Sequence, residues 1–199
     1  MTSRENGRWI WYAVRAVTLV PVMCACMLIA LWARRPEVFT GTGHLLGLLL
    51  GLVLLPLLVY PVQALFPKKA GRDSPSRRIL PMAFAVSGYV LACLVNLWAG
   101  AGRAAWLICL EYLIGGAVLF LFNKLLHVNI SGHAGGVVGP MLLLMADGVS
   151  WALPVGLALL LLVGVACLKT EMHTVWQLLA GCLVSIAVFL PLYALLYPA

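Results

Sequence analysis

His173, Gln177, Gly181 and Ser185 recur at intervals of four. An α-helix returns to one face about every 3.6 residues, so the four share a side. His173 stands at the top of that face, and Gln177 lies one turn below, within reach of one imidazole nitrogen. A partner in that place fixes the tautomer and aims the other nitrogen outward. Lys169, four residues earlier, adds a cation beside the histidine. This pattern suits a nucleophile or a proton carrier acting on an anion.

A second group is Ser131-Gly132-His133, followed by Ala134, Gly135, Gly136 and Gly139. Serine is a good helix N-cap, and a helix start with free N–H groups attracts anions. Small side chains let an anion approach, and a histidine in the first turn would touch it. The third group is basic: Lys68, Lys69, Arg72, Arg77 and Arg78. Arginine grips phosphate by paired bonds and lysine acts as a point charge. Each group also has a plain reading: a polar cap with packing glycines, an interfacial histidine beside a packing glutamine, and a solvated loop that sets topology.

The elements that must carry these residues follow from composition. Of 199 residues, 64% are apolar and only 10% charged, against roughly 25% charged in soluble domains. An ordinary soluble globule is excluded. At about 20 residues per crossing, the chain reads as a single all-α integral membrane domain, residues 1–199, with six to seven spans. They fall near 9–33, 43–66 (kinked at Pro56 and Pro61), 79–100, 104–126, 132–146, 151–168 and 173–196. The first span carries no cleavable signal pattern and is expected to stay. The formal charge is +7, but no soluble module exists to bind nucleic acid. The six cysteines sit in apolar runs without metal spacing and read as small hydrophobes.

Parity gathers the three groups. The loops after the second, fourth and sixth spans must lie on one side, together with the N-terminus. Lys68, Lys69, Arg72, Arg77, Arg78, Lys124, His127, Ser131, His133, Lys169 and His173 all fall there. The opposite side holds Arg34, Arg35, Glu37, His44, Arg103 and Asp147. Two histidines and several cations at one membrane pole suit phosphoryl transfer, which needs a nucleophile, a proton donor and charge clamps. Asp73 and Glu171 are the only acids in those loops, too few for a divalent metal. A histidine mechanism without metal or cofactor is the economical expectation.

In these motifs the chain resembles the type 2 phosphatidic acid phosphatase superfamily of membrane phosphatases. It is most similar to a prokaryotic branch with Arg-Arg-x-x-Pro, Ser-x-His-Ala and His-Thr-x-x-Gln-x-x-Ala-Gly. The matching residues are Arg77-Arg78-Ile79-Leu80-Pro81, Ser131-Gly132-His133-Ala134 and His173 through Gly181, and the resemblance covers roughly 68–185. It implies a phosphatidic acid phosphatase-like helical core and hydrolysis of a lipid or prenyl phosphate or diphosphate. It also implies that His173 attacks phosphorus, Gln177 orients it and His133 protonates the leaving oxygen. Lys69, Arg77, Arg78, Lys124, Ser131, Gly132 and Lys169 would then hold phosphoryl oxygens. The sequence departs from the pattern in three places. Cys167 stands where the third-motif arginine would fall, Gln177 replaces the acidic partner of the nucleophile, and Asn129 stands where the branch tends to have lysine.

Two other functions compete. A lipid-phosphate binding or transport protein would keep the anion site without the chemistry, as neutral Gln177 and Cys167 suggest. A carrier would use Glu111, because acids inside membranes often mark ion or proton paths. The plain alternative is a buried Glu111 bonded to a neighbouring helix, near Asn96. Expected partners are lipid phosphates, membrane lipids and, through the glycine-rich fifth helix, a second copy of the chain. The expected location is the inner membrane. Counting Arg4, Arg8, Lys68, Lys69, Arg72, Arg77, Arg78, Lys124 and Lys169 against Arg34, Arg35 and Arg103 puts the site on the cytoplasmic face.

Overall fold

A computed structural model describes residues 8–65, 75–126 and 128–198, without the side chains of residues 8, 75–79 and 125. Eight helices follow one another: α1 (Arg8–Val17), α2 (Val20–Arg34), α3 (Thr42–Leu65), α4 (Pro75–Trp98), α5 (Arg103–Phe120), α6 (Gly132–Ala146), α7 (Ala152–Lys169) and α8 (Val175–Leu196). No strand occurs among the described residues. Five helical stretches are long and apolar enough to cross a membrane, or six if α1 and α2 form one bent span. Large side chains such as Trp98, Trp176, Leu65 and Leu195 face outward, as lipid contact requires. The chain is a multi-pass helical membrane protein.

Two expectations change. The short fifth span, α6, has 15 residues and rises about 22 Å, less than the ~30 Å hydrocarbon core. Residues Ala134 through Pro140 are all buried, so α6 is an inner helix held by its neighbours. The first span is broken: α1 and α2 meet at 51°. Pro21, at the first turn of α2, has no N–H to offer the Val17 carbonyl, and the hydrogen-bond ladder stops there. The buried Thr18 hydroxyl turns back to the Val14 carbonyl at 2.8 Å.

α2 forms the middle of the core, with Cys24, Met27, Leu28 and Leu31 against Leu48, Leu52, Leu107, Ile108 and Leu143. Glycines let backbones meet where side chains would hold them apart. A Cβ on Gly88 of α4 would strike the Gly51 carbonyl of α3. There α3 loosens into a π turn, Leu50–Leu54, just before Pro56, whose missing N–H breaks the regular ladder. α6 and α8 cross just as closely, because a Cβ on Gly181 would collide with the Ser131 carbonyl.

Away from the histidine pole, Asn96 and His44 make a buried polar pair. His44 Nε2 and Asn96 Oδ1 lie 2.7 Å apart, and the Asn96 amide donates to the Ala105 carbonyl at 2.9 Å. The Thr40 N–H donates to His44 Nδ1 at 3.2 Å, so Nε2 carries the ring proton. Asn96 is thereby satisfied without Glu111, contrary to the sequence expectation.

Candidate functional site

Gln177, Gly181 and Ser185 of the predicted face lie on α8 and meet the start of α6 in turn, whereas His173, expected on the same face, precedes the Thr174 cap and lies outside the helix. The Ser131 N–H donates to the Gln177 backbone carbonyl at 3.0 Å. Gly181 lies against the Ser131 carbonyl, and the Ser185 hydroxyl donates to the Gly135 carbonyl at 3.1 Å. Ser131 is fully buried as the N-cap of α6, and its hydroxyl accepts from the Ala134 N–H at 3.4 Å. Its approach is held by Asn123, whose amide brackets Ile130. Oδ1 accepts from the Ile130 N–H at 2.5 Å and Nδ2 donates to the Ile130 carbonyl at 3.1 Å. Asn123 sits on the π turn, Leu121–Leu125, that ends α5.

His173 is set by the turn between α7 and α8. The Met172 N–H reaches back to the Cys167 carbonyl and the Glu171 N–H to the Leu168 carbonyl, each at 3.1 Å. This is a Schellman-type closure, with Glu171 at φ 53° where glycine is the usual occupant. Thr174 then caps α8 in a capping box with Gln177. The Gln177 side-chain oxygen accepts the Thr174 N–H at 3.0 Å and lies 3.2 Å from His173 Nδ1. A backbone N–H can only donate, so the oxygen rather than the NH₂ of Gln177 must point this way. His173 Nδ1 therefore carries the proton, and Nε2 is left with its lone pair. The tautomer that a neutral amide puts at risk is here fixed by a helix cap.

The field around His173 has an unexpected source. Burial, the leading cause, pushes its pKa below the ordinary value; the Gln177 bond opposes this and the nearby Arg15 guanidinium adds to it. Arg15 lies in the last turn of α1, and one of its terminal nitrogens donates to Thr170 Oγ1 at 3.4 Å. Its charge also acts on His133 and on Cys167, and His133 feels the charge of His173 as well. His133 Nδ1 lies 3.4 Å from the Thr18 carbonyl, which the break between α1 and α2 leaves available. The two imidazoles, the start of α6 and the end of α1 thus converge on one pole. Arg15 was not among the residues singled out by sequence, because it lies inside an apolar run far from every motif.

The other expected residues are placed unevenly. Lys169 ends α7 exposed to the outside, and the cation acting on His173 is Arg15. Lys124 lines a groove of about 230 Å³ between α4 and α5, with Asn123 and Met82. Lys68, Lys69, Arg72 and His127 lie outside the described residues, and Arg77 and Arg78 belong to α4 with their side chains outside them. Beside His173, Thr174 and Gln177 opens a depression of about 580 Å³ that Leu168, Glu171 and Met172 complete. No group of His, Cys, Asp and Glu suited to a metal occurs among the described residues.

Glu111 lies on α5, in a cavity that reaches the start of α6 at Gly132 and Gly135. It is buried, its Oε2 has no hydrogen-bond partner among the described residues, and it lines this cavity of about 90 Å³ with Tyr112, Ser185 and the glycines of α5 and α6. Of the residues at fours from it, Asn123 is committed to Ile130, and Gly115 and Leu119 interrupt the stripe. No protein-family model, curated protein or solved structure matches this chain.

Proposed function

We propose that this protein is a membrane phosphatase-like hydrolase that cleaves a phosphate monoester or diphosphate of a lipid or prenyl substrate through a phosphohistidine. The observation that carries the reading is the Gln177 oxygen held between the Thr174 N–H and His173 Nδ1, which leaves Nε2 as a directed nucleophile. Nε2 attacks phosphorus as the bond to the leaving oxygen breaks, and that oxygen takes a proton from His133. Neutral His133 then removes a proton from water as it attacks the phosphohistidine; inorganic phosphate leaves and Nε2 regains its lone pair. The N–H groups at the start of α6 favour charge on the phosphoryl oxygens. The side supports of the same reading are the cations of the 68–78 segment and Lys124, which suit a phosphate at bilayer depth.

A second reading is a lipid-phosphate binding protein of the same architecture. It is favoured by Gln177, whose neutral oxygen cannot stabilise an imidazolium by charge. The test is phosphate release from phosphatidic acid, phosphatidylglycerol phosphate and prenyl phosphates in EDTA, beside His173→Ala. Release by the parent chain and its loss in the variant support the hydrolase. Binding without release supports the second reading, and equal release by the variant overturns the assignment of His173.

A further inference from the structure

We infer that Arg15 is an anion-binding residue of the histidine pole, brought there by the break in the first span. The inference takes its phosphate chemistry from the proposed function, but its geometry is independent of turnover. Arg15 is an arginine inside an apolar segment, where a guanidinium persists only with partners or a water-filled site beside it. One bond is provided within the protein: a terminal nitrogen donates to Thr170 Oγ1 at 3.4 Å, while that hydroxyl donates onward to the Ala166 carbonyl at 2.8 Å. The Tyr12 ring lies 5.9 Å from the guanidinium carbon. Nε is shielded from solvent and has no hydrogen-bond partner among the described residues. A guanidinium offers five N–H donors in a rigid plane, and this one holds a donor in reserve.

The charge of Arg15 reaches His133, His173 and Cys167, and the α6 N-terminus lies beside His133. Arg15 thus stands close to both imidazoles and to the start of α6, a set of donors that suits an anion. A planar guanidinium with a free Nε and a terminal nitrogen matches the paired oxygens of a phosphate. The bend does the positioning. If α1 and α2 ran straight, Arg15 would sit one turn up the same axis as Val20 instead of turning with α1 toward α7. The 51° break sends α1 against α7, so that Arg15 meets Thr170, and it frees the Thr18 carbonyl for His133.

The experiment measures binding of the full chain in detergent to vesicles of phosphatidylcholine with and without phosphatidic acid, and to inorganic phosphate alone. Arg15→Gln is expected to weaken phosphatidic acid binding about 10- to 100-fold, the range of a lost charge-assisted pair. Arg15→Lys should keep part of the affinity. Millimolar guanidinium should restore binding to Arg15→Ala. Thr170→Val removes the internal bond but keeps the cation, and should bind nearly as the parent does. Equal binding by a folded Arg15→Gln chain overturns the inference. So does a Thr170→Val chain as impaired as Arg15→Gln, which would make the arginine a structural prop, and so does a parent chain that binds neither probe. If the parent binds phosphatidic acid through Arg15 but releases no phosphate, the hydrolase reading falls and this inference stands.

Discussion

The Ser131 N–H and the Gln177 carbonyl, 3.0 Å apart, tie the start of α6 to the first turn of α8. That single backbone bond sets the position of His133 relative to His173, because each histidine lies within a few residues of one of its ends. Below it, Gly181 and Gly135 keep the two helices close enough for the bond to form.

Replacing Gly181 with alanine tests the crossing directly. The new Cβ would collide with the Ser131 carbonyl, a backbone atom that cannot turn aside. We expect a loss of about 1–3 kcal/mol, the usual range for overpacking, seen as a lower midpoint of thermal unfolding in detergent. Gly135→Ala, whose Cβ would stand 3.1 Å from the Ser185 hydroxyl, should cost less. Equal and negligible effects of the two would contradict the close approach.

The Gln177 oxygen should matter for rate more than for fold. Gln177→Leu removes the acceptor that selects the His173 tautomer, and phosphate release should fall by about 10²-fold or more, within the range of general acid–base effects. Gln177→Glu retains an acceptor for both donors and adds a charge that favours imidazolium. It should stay active while its acid limb moves to higher pH. The check is a rate–pH profile for both variants.

For the parent chain the acid limb follows from His173. Its pKa lies below the ordinary value because of burial, reinforced by Arg15 and opposed by the Gln177 bond. The nucleophile must be neutral and His133 must start charged, so turnover falls as pH drops past a midpoint below ~6.5, the reference for histidine, and falls again as rising pH neutralises His133, whose charged form burial disfavours. Arg15→Gln removes a nearby cation and should move that midpoint upward. Imidazole chemical shifts of His173 followed against pH report the same displacement without any substrate.

Asn123 is predicted to support Ser131 through Ile130. Asn123→Ala deletes both bonds to the Ile130 backbone; the Ile130 N–H keeps the Val128 carbonyl at 2.9 Å, but the Ile130 carbonyl loses its partner, at a cost of about 1–3 kcal/mol. Faster hydrogen exchange at Ile130 and Ser131, together with a reduced kcat, is the expected outcome. A change in kcat with unaltered exchange would place the effect elsewhere.

Glu111→Gln separates hydrolysis from a carrier function. The cavity of Glu111 reaches the start of α6 at Gly132 and Gly135 but is not lined by His133 or His173, so phosphate release should stay within about twofold of the parent, below the tenfold effect that 1.4 kcal/mol represents. Loss of release in a folded Glu111→Gln chain would show that the cavity and the pole act together.

Apolar stretches and helical spacing made much of this legible beforehand. Hydropathy gave the multi-pass character and nearly all helix limits, since a bilayer admits few alternatives. The interval of four put Gln177, Gly181 and Ser185 on the face of α8 that meets α6 or holds its start, but His173 precedes the Thr174 cap and is set by the turn instead. What spacing leaves open is the direction in which each helix face points and where a span bends, and these depend on contacts between distant segments. The pairing of His44 with Asn96, the capture of Ile130 by Asn123, and the arrival of Arg15 beside Thr170 across 155 residues are of this kind. Periodicity fixes neighbours along one helix, whereas partners across helices are chosen by packing, here by glycine crossings and by a proline that breaks the first span.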